Sequence, residues 1–180
     1  MLAPNQRIDI AAPLSGMIVP LESVPDPVFA QKIVGDGVSI DPTSSEVLAP
    51  VAGEVVQLHG AHHALTLRSD GGLEVLVHVG IDTVMLRGEG FTPLVTVGQR
   101  VARGQPLIRF DLDVLACKAK SLLTEVIITN MDAVASIEPR SGMIAAGETL
   151  MHVSLVAATK KVATKPAGRP APRKFGTRPR

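Results

Sequence analysis

Tryptophan and tyrosine are absent, and only four phenylalanines occur in 180 residues. A core must therefore be built from Val, Ile, Leu and Ala. Basic surface interleaved with aromatics, the usual mark of nucleic-acid binding, is missing as well, and no specific nucleic-acid partner is expected. A single cysteine, Cys117, excludes an intrachain disulfide and fits a reducing compartment. It falls in a segment that reads as a short helix, where a buried structural role is expected of it. No apolar run reaches the ~18 residues of a membrane-spanning helix. The first residues show neither the charged nor the apolar region of a signal peptide, so a cytoplasmic location is expected. Helical periodicity is scarce too. With 16 Gly and 14 Pro, the aliphatic content favours short strands joined by many turns.

Charge is distributed unevenly. Residues 157–180 hold eight Lys/Arg and no acid, which leaves ten basic against 17 acidic residues in 1–156. The chain divides accordingly into a body, 1–156, and a disordered basic tail, 157–180, rich in Pro, Ala, Lys and Arg. Such a tail suits contact with an anionic membrane surface, which would make the protein peripheral at the inner face.

The body contains an internal repeat. Ala12-Pro-Leu-Ser-Gly16-Met-Ile-Val-Pro-Leu21 and Ala49-Pro-Val-Ala-Gly53-Glu-Val-Val-Gln-Leu58 share the pattern A-P-x-x-G-x-[IV]-V-x-L. Weaker echoes occur at 97–107 and 141–150. Each copy reads as a turn feeding a strand, and two copies predict a compact antiparallel β-sandwich or barrel made of similar halves. Helix is expected from Asp111 as cap through Lys120, with Leu112, Leu115, Ala116 and Ala119 on one face, and as a turn over 130–137. Asp36, between two glycines, reads as a turn residue.

Two histidines flank the strongest turn signal. From His63 to His78, apolar alternation runs on both sides of Ser69-Asp70-Gly71-Gly72, and Asp-Gly is a preferred hairpin turn. With the loop centred between Asp70 and Gly71, paired residue numbers sum to 141 and the two histidines face each other directly. This register holds only for a loop of even length. A facing histidine pair serves metal binding, acid/base chemistry or phosphoryl transfer. His59 and His62 have no such register and read as surface residues. His152 belongs to a final strand.

The residues beyond His78 narrow the choice. The stretch Val75-Leu-Val-His-Val-Gly-Ile-Asp-Thr-Val-Met-Leu-Arg-Gly-Glu-Gly-Phe91 resembles the active-site signature of the glucose-type IIA proteins of the bacterial phosphoenolpyruvate-dependent sugar phosphotransferase system. Val24–Gly37, Gly98-Gln-Arg-Val101 and Phe110-Asp-Leu112 match the same family, and the resemblance runs from about Ile8 to Leu155.

The resemblance implies an all-β fold of the duplicated hybrid motif type with one or two short helices and an exposed active face. It implies that His78 accepts a phosphoryl group on Nε2 from the carrier HPr and passes it to the IIB domain of a sugar permease. His63 is then the partner that stabilises and helps transfer the group, and Asp82 a supporting acid. Asp26, Phe29, Ile33, Val34, Leu76, Val79 and Gly80 become partner-binding residues. No cofactor is required, and zinc held by His63 and His78 at a partner interface is optional. Regulatory target proteins are further partners that the family implies. The chemistry agrees with this reading, because a neutral imidazole is nucleophilic near pH 7 and a phosphoryl group then needs hydrogen-bond donors.

The chain also departs from the family. Ala61 stands where a threonine commonly orients the partner histidine, and Met85 replaces an acidic residue. His59, Leu65, Leu76 and Val79 occupy aromatic contact positions. Few residues precede the first strand, where some members carry a membrane-contacting extension. Two other classes compete. A lipoyl-type carrier fits the glycine repeats, but Asp132 occupies the place of the required lysine. A zinc-binding hydrolase needs three protein ligands, for which His63 and His78 supply two and Asp82 is the one close candidate for a third. A non-catalytic regulatory module is the remaining alternative.

Overall fold

Short β-branched runs punctuated by glycine and proline form fourteen strands among the residues, 6–156, that this computed structural model describes. In chain order they are β1 (Arg7–Ala11), β2 (Gly16–Pro20), β3 (Asp36–Pro42), β4 (Glu46–Leu48), β5 (Gly53–Leu58), β6 (Ala64–Ser69) and β7 (Glu74–Ile81). There follow β8 (Phe91–Pro93), β9 (Arg100–Val101), β10 (Pro106–Phe110), β11 (Ser121–Ile128), β12 (Val134–Pro139), β13 (Gly142–Ile144) and β14 (Thr149–Leu155). Two short helices, α1 (Pro27–Ala30) and α2 (Leu112–Lys118), complete the set with three 3-10 turns. The basic tail, and with it the expected membrane contact, lies outside the described residues.

Every strand pair is antiparallel. One eight-stranded sheet runs β13-β2-β3-β11-β7-β6-β5-β9, and two three-stranded sheets run β1-β14-β12 and β4-β10-β8. The sequence repeat is visible as structure. Gly16 opens β2 beside β3 and Gly53 opens β5 beside β6, where an added Cβ would lie 2.0 Å from the Asp41 carbonyl oxygen and 2.1 Å from that of Arg68. Only glycine permits so close a backbone approach. The preceding alanines match as well. Gly147 and Gly104 N–H donate to the carbonyls of Ala12 and Ala49, whose own N–H groups donate to Glu148 and Gln105. The two halves meet at the middle of the large sheet, where β7 lies against β11.

The core is aliphatic, as the missing aromatics require. Val75, Val77 and Val79 on β7 point into it with Leu65 and Leu67 from β6 and Val126 and Ile128 from β11. Alternation then sends Glu74, Leu76 and His78 to the opposite face of the sheet. There the segment after β2 crosses over, and Leu21, Val24 and Phe29 cluster with Ile81 and Ile127.

Several local expectations require correction. Residues 134–137 are extended in β12, and only Met131–Ala133 form a helical turn. Antiparallel pairing to β14 overrides the helical reading. Asp36 opens β3 rather than sitting in a turn, and its carboxylate pairs with Lys32 at 3.0 Å. In α2, Asp111 caps as expected, but the inward side is carried by Leu115 with Leu112 and Val114, and Ala116 is exposed. Val114 and Leu115 seat against Gly90. Cys117 lies on the outer side and is exposed, so it has no core role.

Candidate active site

His78 sits in β7, and its strand partner on the β6 side is Ala64, not His63. Paired numbers sum to 142 because the hairpin loop has three residues, Asp70-Gly71-Gly72. Ser69 closes it: its N–H donates to the Leu73 carbonyl, its carbonyl accepts from Gly72 N–H, and its hydroxyl accepts from Leu73 N–H. Gly72, at φ +82°, takes the left-handed position that such a loop needs.

The rings meet nonetheless. His63 lies one residue before β6, where strand geometry ends because His62 adopts φ +59°. Its carbonyl accepts from Val79 N–H at 2.8 Å, so that amide is not free to hold a phosphoryl group. Its ring lies edge-on to His78, with centroids 4.8 Å apart.

Packing fixes both rings. Phe29, carried in by α1, lies 5.0 Å from His78 centroid to centroid. Asp26 caps α1 by accepting from Val28 N–H. His63 is 3 % exposed and contacts Phe91 at 6.4 Å and His59 at 4.4 Å between centroids. Burial first, and then the neighbouring His78 and His59, lowers the His63 pKa to about 4, so the ring is neutral near pH 7. His59 is exposed, as expected of a surface residue, and it also lines the cleft against the His63 ring. Its Nδ1 accepts from Ala61 N–H at 3.1 Å, a bond that needs the tight turn 59–62 and has no signature in sequence. Ala61, which stands in place of a hydroxyl residue, gives His63 no side-chain donor, and His63 Nδ1 is buried without a partner among the described residues.

The second residue that sequence reasoning missed is Glu125. It lies directly opposite His78 across the β7–β11 pair and opposite Ser39 across β3–β11. It is fully buried, with one carboxylate oxygen 3.3 Å from His78 Nδ1. Burial raises its pKa from 4.5 to about 7 against the lowering pull of His78 and Ser39.

The remaining expectations divide. Leu76 and Val34 line the cleft with His78, His63 and His59, and Ile33 is 66 % exposed beyond it. Val84, unremarked in sequence, lines the same cleft, and Met85 beside it is 73 % exposed. Val79 and Leu65 are core residues, and Gly80 is buried, so none of the three offers a side chain to a partner. Strand alternation turns Val79 away from the face that His78 occupies. Gly80 instead shapes the turn: at φ +73°, an added Cβ would sit 2.5 Å from the Thr83 methyl. Thr83 in turn donates to the Val79 carbonyl at 2.6 Å. Asp82 is exposed in that turn at φ +60° and does not line the histidine cleft. Among the described residues no three His, Cys, Asp or Glu side chains group to hold a metal. The histidine pair therefore does not fit a catalytic zinc centre, which takes three protein ligands. No described helix is long and apolar enough to cross a membrane.

The site thus offers a partly exposed imidazole, a buried neutral imidazole against it, a buried carboxyl behind it and apolar surface around it. Comparison with known proteins agrees. Residues 8–134 match the family described as phosphoenolpyruvate-dependent sugar phosphotransferase system, EIIA 1. The chain is 47% identical over 145 residues to the glucose-specific EIIA component of Haemophilus influenzae, covering 81% of this chain and 87% of that one. It is 52% identical over 133 residues to the component of the same name from Staphylococcus aureus strain COL, covering 74% and 80%. The glucose permease IIA structure from Mycoplasma capricolum superposes with a TM-score of 0.77 at 33% identity, over 84% of this chain and 99% of that one. The expected all-β antiparallel fold is borne out, and the chain belongs to the EIIA 1 family, the phosphocarriers of the phosphoenolpyruvate-dependent sugar phosphotransferase system.

Proposed function

We propose that His78 is the phosphoryl carrier, taking the group on Nε2 from phosphorylated HPr and giving it to the IIB domain of a sugar permease. The observation that carries this reading is the edge-on pair of His63 and His78 in a cleft that Val34, Leu76 and Val84 also line. His78 Nδ1 is buried against Glu125 while the side chain as a whole is 19 % exposed, which leaves Nε2 as the atom for a donor to reach. A P–N bond then forms at Nε2, and the donor's P–N bond breaks with its electron pair returning to the donor imidazole. His63, held neutral by burial, donates its one N–H to a phosphoryl oxygen. The phosphoryl dianion draws the pKa of that ring back upward, which strengthens the donation.

Docking falls to Ile33, Val34, Leu76, Val84 and Met85 around the cleft, with Phe29 and Asp26 holding the α1 side. Asp82, exposed outside the cleft, is placed to act on a partner's basic groups and not on the phosphoryl group itself. Zinc shared with a partner would take His63 and His78 from this chain, and no step of transfer runs through it. Mass spectrometry after incubation with phosphoenolpyruvate, enzyme I and HPr tests the assignment. One acid-labile phosphoryl group is expected on wild type and none on His78→Ala. Uptake by His78→Ala would move the acceptor elsewhere. His63→Ala is expected to accept the group but to pass it on roughly 100-fold more slowly.

A further inference from the structure

Glu125 reaches His78 only through strand pairing, and its environment is unusual for a carboxyl. The residue is fully buried on the sheet face where Leu21, Val24, Phe29 and Ile127 cluster. A buried carboxyl without strong partners is costly, and it persists where a function holds it. Its partners here are sparse. Ser39 hydroxyl is 3.4 Å from Oε1, and Oε2 faces His78 Nδ1 at 3.3 Å without the alignment of a hydrogen bond. His78 Nδ1 and Glu125 Oε2 are both buried and have no other partner among the described residues. Among the described residues, His78 is the one titratable side chain that acts on Glu125. Ser39 on β3 is uncharged, and the residues of segment 21–30 that cluster on this face, Leu21, Val24 and Phe29, are apolar.

We infer that Glu125 is a positioning residue for phosphoryl transfer: its carboxylate accepts the Nδ1–H of His78, which leaves Nε2 as the ring's lone-pair nitrogen. The two ring nitrogens of a neutral imidazole are not equivalent, and the bond made by one decides which is nucleophilic. Glu125 selects the useful tautomer from inside the fold. It also acts during the step. As the P–N bond forms at Nε2, positive charge develops on the His78 ring while the proton stays on Nδ1. The carboxylate behind that proton compensates the charge in a site of low dielectric. No proton has to leave, and the same arrangement returns intact when the group departs. The inference rests on His78 being the acceptor.

The test reads the ring itself. Long-range 1H–15N NMR of the full chain at pH 8, where the Glu125 carboxyl is ionised, reports the His78 tautomer in wild type, Glu125→Gln and Glu125→Leu. Expected are Nδ1–H in wild type and in the Gln variant, whose amide oxygen still accepts, and a swing to Nε2–H in the Leu variant. Single-turnover uptake from phospho-HPr should fall roughly 10–100-fold in the Leu variant, with KM for phospho-HPr changed less than about twofold. Wild type in the Nε2–H form, or a Leu variant that keeps Nδ1–H and wild-type rates, would overturn the inference. If wild type takes up no phosphoryl group, the phosphocarrier reading fails, while the tautomer still decides what Glu125 does to the ring.

Discussion

Replacing Glu125 by glutamine removes a charge from the interior at nearly constant volume, and the effect on stability must depend on pH in a fixed direction. The carboxyl titrates at about 7 in the folded protein against 4.5 when free. A group whose folded pKa is raised contributes fully below its unfolded pKa and loses that contribution as pH rises through the folded one. Wild type and Glu125→Gln should therefore be close in stability near pH 4. Between pH 4.5 and 7 the variant should gain steadily. At pH 8 the gain should approach the whole shift, about 3 kcal/mol at ~1.36 kcal/mol per pKa unit. That corresponds to a rise in midpoint temperature of about 6–12 °C for a domain of this size. His63 acts with the opposite sign in the same window, since its folded pKa is depressed to about 4 and the unfolded chain takes up its proton first as pH falls. Both proteins carry His63, so its contribution cancels in the difference. Urea unfolding at pH 4, 5, 6, 7 and 8, followed by circular dichroism, measures that difference directly. A difference that stays flat from pH 4 to 8 would refute the buried-carboxyl reasoning. A variant that is more stable yet slower in transfer would show that wild type retains a destabilising ionised group for the sake of the reaction.

Other expectations are simpler to check. Gly80→Ala forces a side chain into a left-handed conformation and against Thr83, so it should cost at least about 1–2 kcal/mol in chemical unfolding and slow phosphoryl uptake. Ile33→Asp should leave the fold intact and raise KM for phospho-HPr roughly tenfold, the equivalent of about 1.4 kcal/mol of docking, and an unchanged KM would remove Ile33 from the interface. Relative to wild type, His63→Gln should gain stability progressively as pH falls from 6.5 to 4, and equal slopes in the two proteins would show that burial does not depress the His63 pKa. Elemental analysis after dialysis against chelator should find no tightly held stoichiometric zinc, given the two-histidine set. Removal of residues 157–180 should abolish co-sedimentation with anionic vesicles at low salt, and equal sedimentation of both forms would end the membrane reading of the tail.

Much of this molecule is legible in one dimension because its information is local. The lack of aromatics fixes an aliphatic core, the A-P-x-x-G repeat marks two strand starts, and Val75–Phe91 carries a family signature. The register of the hairpin was not legible. Asp70-Gly71-Gly72 suits a loop of two residues or of three, and one residue decides whether His78 faces His63 or Ala64. Closure by Ser69 chose three, and the histidines met only because the chain leaves strand geometry at His62. Burial of Val79 and Gly80 was hidden for a related reason, since a signature records which residues recur and not which face they occupy. Glu125 was beyond reach altogether: 47 positions separate it from His78, and it reads as an ordinary surface acid until β11 pairs with β7 and the segment around Phe29 closes over that face. Composition and local pattern determined the class of fold and pointed to His78 as the acceptor now proposed. Strand pairing, which joins residues without regard to their distance in sequence, decided what stands behind that histidine and how much water reaches it.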